Sequence, residues 1–94
     1  MAKEIQQGTS SFYIGEDETN PTAEIHYAES EDGNLIVDHT FVSEELRGQG
    51  VGEKLVKEVV QFARDKQKKI IPECTYAQKQ FERNQEYEDV LLKN

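Results

Sequence analysis

Apolar and polar positions along the chain fall into short runs, and their period changes partway. Residues 10–14 read as a brief strand closed by Gly15. Acidic, turn-forming residues follow as far as Asn20, and Pro21 reinforces the break. From 22 to 28 the chain alternates, with Ala23, Ile25 and Tyr27 set against Glu24, His26 and Ala28. That period of two predicts a half-buried strand with His26 turned away from Ile25 and Tyr27. The turn signal Glu31-Asp32-Gly33-Asn34 predicts a hairpin into residues 35–42, the most apolar strand and the expected centre of the sheet. After a connector at 43–46 the period becomes that of a helix. Val51, Leu55, Val59 and Phe62 form one stripe, widened by Val56, Val60 and Ala63, over about four turns. Lys66, Lys68 and Lys69 suit the negative end of its dipole. Residues 69–72 form a short apolar strand, expected to lie parallel to 35–42 through a right-handed crossover. A second helix is predicted over 75–83 and a short third one over 86–92, with Tyr87, Val90 and Leu91 as its apolar residues. The order β-β-β-α-β-α predicts a mixed α+β fold. Its sheet is mostly antiparallel with one central parallel pair, and residues 1–94 form one domain.

Composition narrows the partners. Apolar residues make up 35% of the chain and charged residues 32%, with a net charge of −8. Residues 1–47 carry two basic and eleven acidic side chains, while residues 48–94 carry nine and eight. An acidic face of this kind aids solubility and attracts cationic acceptors such as amines or lysine-bearing proteins. Nucleic acid is disfavoured for want of a basic patch. No run is long or apolar enough to span a bilayer, so no membrane partner is expected. The polar start of the chain does not read as a signal peptide. One cysteine permits no internal disulfide, and a reducing, cytoplasmic compartment is expected.

The chemistry concentrates at Arg47-Gly48-Gln49-Gly50-Val51-Gly52, between strand 35–42 and the long helix. Glycine allows a sharp turn and close approach to the amides. A helix N-terminus adds unpaired N–H groups and partial positive charge. Together they form a seat for an anion such as phosphate. The run lacks the Gly-Lys-Ser/Thr ending of a nucleotide-binding P-loop, which argues against an ATPase.

These residues, in this strand–loop–helix context, resemble the Arg/Gln-x-x-Gly-x-Gly/Ala signature of the GNAT acetyltransferases. The likeness runs from about Thr22 to Tyr87. In length the chain resembles the compact single-domain members of that family. Their tail of His-Pro-Glu-Tyr is replaced here by Asn84-Gln85-Glu86-Tyr87, so no role resting on that histidine transfers. The resemblance implies acetyl-CoA as cosubstrate, while the spacing of His, Cys and carboxylates predicts no metal. Amides from Arg47 to Gly52 would hold the pyrophosphate, with Gln49, Gly50, Val51 and Gly52 nearest. The backbone of Thr40, Phe41 and Val42 would pair with the pantetheine arm in a V-shaped opening between strands. Arg47 and Lys54, and Lys79 with Arg83 on the second helix, would add positive charge; of the helix pair, Lys79 is the expected cofactor contact.

Larger relatives often carry Asn, Ala and Tyr where this chain has Cys74, Ala77 and Phe81. Phe81 cannot protonate a departing thiolate, so the family's usual acid is absent. Cys74, at the start of the second helix, is a candidate acetyl acceptor: a thiolate beside a thioester exchanges acyl groups with little change in bond energy. The alternative is a small packing residue. His39 is a candidate base for deprotonating an amine, although lone strand histidines are commonly not catalytic. No cluster has metal-ligand spacing. Expected, then, is acetyl transfer to a primary amine. The chain ends about twenty residues past Cys74, which would leave the acceptor site open to a protein amine or completed by a partner subunit. The rival expectation is a non-catalytic binder of CoA or acetyl-CoA, serving as a sensor or subunit.

Overall fold

The computed structural model describes residues 4–92; Met1 to Lys3, part of the polar N-terminal run, and Lys93 and Asn94 lie outside the described residues. The elements are β1 (Gln6–Gln7), β2 (Ser11–Gly15), β3 (Pro21–Glu29), β4 (Leu35–Val42), a 3₁₀ turn (Glu44–Leu46), α1 (Val51–Lys66), β5 (Ile70–Pro72), α2 (Thr75–Arg83) and a second 3₁₀ segment (Gln85–Val90). The five strands stand in chain order. Three antiparallel pairs lead to one parallel pair, in which Leu35 lies opposite Ile70 and Val37 opposite Pro72. The expected mixed α+β architecture is therefore present. No helix among the described residues is long and apolar enough to cross a membrane.

The predicted elements need four corrections. The two-residue β1 was not foreseen, because Gln6 and Gln7 are polar and exposed and offer no alternation to read. The centre of the sheet is β3 rather than β4. In β4 only Leu35 and Val37 are buried, so its apolar composition serves the core over half its length. The parallel pair accordingly lies at one side of the sheet. Instead of a helix over 86–92, the chain forms the 3₁₀ segment to Val90. Leu91 then bridges Ile70 in parallel, and Leu92 N–H donates to Ile70 O.

One face of the sheet carries Phe12, Ile14, Ala23, Ile25, Tyr27, Leu35 and Val37, which join a single core with the apolar stripe of α1. Within that stripe Leu55 and Ala63 are fully buried. Phe62 extends it sideways, with its ring centroid 5.5 Å from Phe12 and 5.6 Å from Tyr27. At the far end of α1, Arg64 makes a paired contact with Asp89 at 2.9 Å and donates to Glu86 O, tying the helix to the second 3₁₀ segment.

Pairing between β3 and β4 contains a bulge. Tyr27 faces Val37, but the next residue of β3, His26, faces His39, so Asp38 is the extra residue. In a regular strand of this sequence, His39 and Phe41 would follow Val37 onto the core face. The bulge reverses this. Thr40 and Val42 lie opposite Ile25 and Ala23 on the core face, and His39 and Phe41 lie opposite His26 and Glu24 on the outer one.

Truncating Leu55 to Ala should destabilise the protein by about 3 kcal/mol, read from urea unfolding. Acid should act partly through Glu18. The amides of Thr9 and then Ser10 hold its carboxyl below the usual range, outweighing the opposing effect of burial, with further help from the Ser11 hydroxyl. Its stabilising contribution is therefore complete above the ordinary glutamate pKa, about 4.3, and is lost as pH falls through the lower folded value. Glu18→Gln should flatten the acid limb of a plot of urea midpoint against pH.

Candidate functional site

Strand β5 ends at Pro72, opposite Val37, and the chain turns away at once; the N–H groups of Glu73 and Cys74 both donate to Val37 O, at 2.9 and 3.0 Å. Beyond Val37, β4 therefore has β3 on one side and no strand on the other, which opens a cleft. The Arg47–Gly52 loop and the start of α1 form its second wall, and one face of α2 forms the third.

This cleft holds a cavity of about 500 Å³, within the range usual for ligand sites. Gly48 and Gly50 have φ of +83° and +75°, values that glycine adopts without the Cβ penalty. Gly50 is the N-cap of α1 and provides no side-chain cap. The first-turn amides are thus left for a ligand or solvent, with the positive end of the helix dipole behind them. Arg47 lines the cavity and donates from Nε to Val42 O, pinning the loop to the end of β4. Gln49 does not line it; its amide donates to Glu45 O. Glu53, in the first turn of α1, lines the same space and places a carboxylate where an anion would sit.

From α2 the contributors are Tyr76, Gln80 and Arg83, spaced four and three residues apart and so on one helix face. Lys79 is exposed and outside the lining, so the cation that α2 brings to the cavity is Arg83. Lys54 is also exposed and outside it. Gln80 is buried and accepts from Asn84 Nδ2 at its backbone oxygen, 2.8 Å away. Tyr76 crosses the cleft: a Cβ on Gly52 would come within 2.5 Å of its hydroxyl. Burial, followed by the charge of Glu53, pushes the Tyr76 phenol above its ordinary pKa, so it stays protonated near neutrality. Phe81 points into the core, its ring 5.7 Å from Tyr87, whereas Tyr76 supplies a hydroxyl at the cavity.

Of the residues expected at the site, Thr40, Val42, Arg47, Gly48, Gly50, Val51 and Gly52 come together around the cavity. Cys74 stands one contact behind it. Half-buried at the N-cap of α2, its Sγ accepts from Ala77 N at 3.3 Å and lies 3.2 Å from Thr40 Oγ1. His39 and Phe41 carry their side chains to the opposite face of the sheet, leaving only their backbone on the cleft strand. Tyr76, Gln80 and Glu53 were not foreseen as site residues. The spacing of 76, 80 and 83 beside the buried Ala77 and Phe81 was the available signal. Among the described residues no group of three or more His, Cys, Asp or Glu could hold a metal ion.

Fold and cleft together define a small α+β protein able to seat an elongated anionic ligand between a helix N-terminus and an open strand edge. The profile of the GCN5-related N-acetyl-transferase family matches residues 11–90, and the chain belongs to that family. It is similar to a Staphylococcus aureus protein assigned as a GCN5-like N-acetyltransferase, with 48% identity, 98% of this chain and 90% of that one covered, and a TM-score of 0.82. Two further structures share the fold. One is an integron cassette protein from the Cole Harbour salt marsh metagenome, with 24% identity, 78% and 49% coverage and a TM-score of 0.55. The other is the ribosomal-protein-alanine N-acetyltransferase of Brucella melitensis biovar Abortus 2308, with 16% identity, 93% and 65% coverage and a TM-score of 0.51. No curated protein matches the chain.

Gly50→Ala should cost about 1–2 kcal/mol in urea unfolding, because an L side chain is strained at this φ. Gly50→Asn should cost less, since asparagine tolerates the left-handed region.

Proposed function

We propose that this protein transfers an acetyl group from acetyl-CoA to a primary amine, most naturally one carried by a macromolecule, in a reducing cytoplasmic compartment. The observation that carries this reading is the convergence, on one cavity, of the uncapped N-terminus of α1, the Gly48–Gly50 turn and the open edge of β4. These residues fit the cosubstrate. The first-turn amides and Arg47 and Arg83 suit its phosphates, and the strand edge at Thr40 and Phe41, which no other strand covers, suits the amides of its pantetheine arm. Glu53 works against the phosphates, so binding rests on oriented amides and two guanidinium groups rather than on net charge.

In the transfer, the neutral amine attacks the thioester carbonyl, the carbon–sulfur bond breaks, and the departing thiolate takes a proton. Tyr76 brings a phenolic hydroxyl to the cavity and is the lining group suited to donate that proton. Cys74 offers a covalent route. Its sulfur would take the acetyl group, one carbon–sulfur bond replacing another, and then yield it to the amine. The open cleft suits a lysine or N-terminal amine of a protein, and the acidic half of the chain would attract it. A partner subunit would complete the acceptor side. A second reading, a CoA-binding sensor without catalysis, is favoured by the burial of Phe81 in the core, where relatives place a tyrosine.

Incubation with acetyl-CoA followed by intact-protein mass spectrometry separates these routes. One acetyl group on wild type, removed by hydroxylamine and absent from Cys74→Ala, is the expected result for covalent transfer. Stoichiometric CoA binding without acetylation of Cys74 or of any amine acceptor would favour the sensor. Arg83→Ala should weaken CoA binding about tenfold by calorimetry, and Lys79→Ala should leave it within about twofold.

A further inference from the structure

On the outer face of the sheet, away from the acetyl-CoA cleft, three side chains from three segments form a continuous hydrogen-bonded chain. Asp38, the bulge residue of β4, places Oδ1 2.7 Å from His26 Nδ1 on β3. His26 Nε2 lies 3.3 Å from the hydroxyl of Ser10, just before β2. An ionised carboxylate only accepts hydrogen bonds, so His26 must carry its proton on Nδ1. In the neutral ring of that tautomer Nε2 is the acceptor, and the Ser10 hydroxyl is placed to donate to it. A nucleophile touching a base, with the base held in one tautomer by a carboxylate, is the arrangement that activates a serine. The contact of 3.3 Å is of the loose kind found without substrate.

The His26 and Asp38 side chains are each 40% exposed, so an incoming molecule can reach them. Ser10 also lines a cavity of about 330 Å³, but that cavity opens on the core side of the sheet, among Tyr27, Leu35 and Phe62, and neither His26 nor Asp38 lines it. Gln7 and Lys68 line that cavity too, with the Lys68 ammonium already paired with Glu29. Ser10's own amide is committed to Glu18 Oε2, at 3.2 Å. The charge of Glu18 opposes an oxyanion here, which makes acylation of Ser10, rather than rapid turnover, the step to read.

We infer that Ser10, His26 and Asp38 form a second reactive centre, in which Ser10 accepts acyl or phosphoryl groups from small activated esters. Ser10 Oγ bonds to the electrophilic carbon or phosphorus, and its proton passes to His26 Nε2. The bond to the leaving group breaks, and His26 returns the proton to that group. Water releases a carboxylic acyl group by the same route in reverse.

A fluorophosphonate probe tests this directly: the P–F bond breaks, a bond from phosphorus to Ser10 Oγ forms, and fluoride leaves. The expected result is one adduct, mapped to Ser10 by peptide mass spectrometry, absent from Ser10→Ala and His26→Gln, and formed at least about tenfold more slowly in Asp38→Asn. Ser10→Ala and His26→Gln should keep wild-type circular dichroism and CoA affinity, since neither residue lines the acetyl-CoA cleft. Failure to label Ser10, or equal labelling of wild type and His26→Gln, overturns the inference and leaves the acetyl-CoA reading untouched.

Discussion

The backbone of β4 has different neighbours along its length, and the rest of the molecule follows from that. Upstream it is held on both edges, by β3 and by β5. From Asp38 onward β3 holds one edge, while β5 has already turned into α2. Backbone N–H and C=O groups without a strand partner must find water or a ligand. An edge of this kind facing a cavity is therefore a binding surface by default. The bulge at Asp38 completes the arrangement by turning Thr40 and Val42 toward that cavity and Phe41 away from it.

The electrostatics of the cleft resolve what looks like a conflict. A chain with a net charge of −8 is an unpromising host for a ligand rich in phosphate. Bulk charge, however, acts over distances that salt screens, whereas helix amides and guanidinium groups act at contact. At the mouth of α1, two arginines and an uncapped helix end face a single nearby carboxylate, Glu53. The local sign is set by these few groups rather than by the acidic remainder.

Cys74 shows how position qualifies chemistry. At the N-cap of α2, its sulfur takes the role usually filled by a serine or aspartate oxygen, accepting from Ala77 N. The same sulfur touches Thr40, a wall of the cleft. A packing role and a reactive role are thus compatible at this one residue. Tyr76, two positions on, reaches across to Gly52 and carries the hydroxyl that Phe81 lacks.

Much of this was legible in the chain itself. Alternation at 22–28, the turn at Gly33 and the helical stripe from Val51 to Ala63 are local signals, and local signals fix β3, β4 and α1. The glycine run before α1 announced the turn and the uncapped helix start, because φ and helix ends are also local properties. What the sequence could not state was the register between strands. Alternation along Leu35, Val37 and Phe41 continues through the bulge as though Phe41 faced the core, but pairing with β3 turns it outward. Tyr76 and Arg83 became site residues through the packing of α2 against β4 and α1, while Lys79, equally basic and one turn away from Arg83, was left in solvent. The chain of Ser10, His26 and Asp38 joins residues far apart in sequence, none remarkable alone. Local backbone preference determines which elements form. Cross-strand registry and the docking of helices, which satisfy backbone bonding and burial over the whole molecule at once, decide which side chains meet.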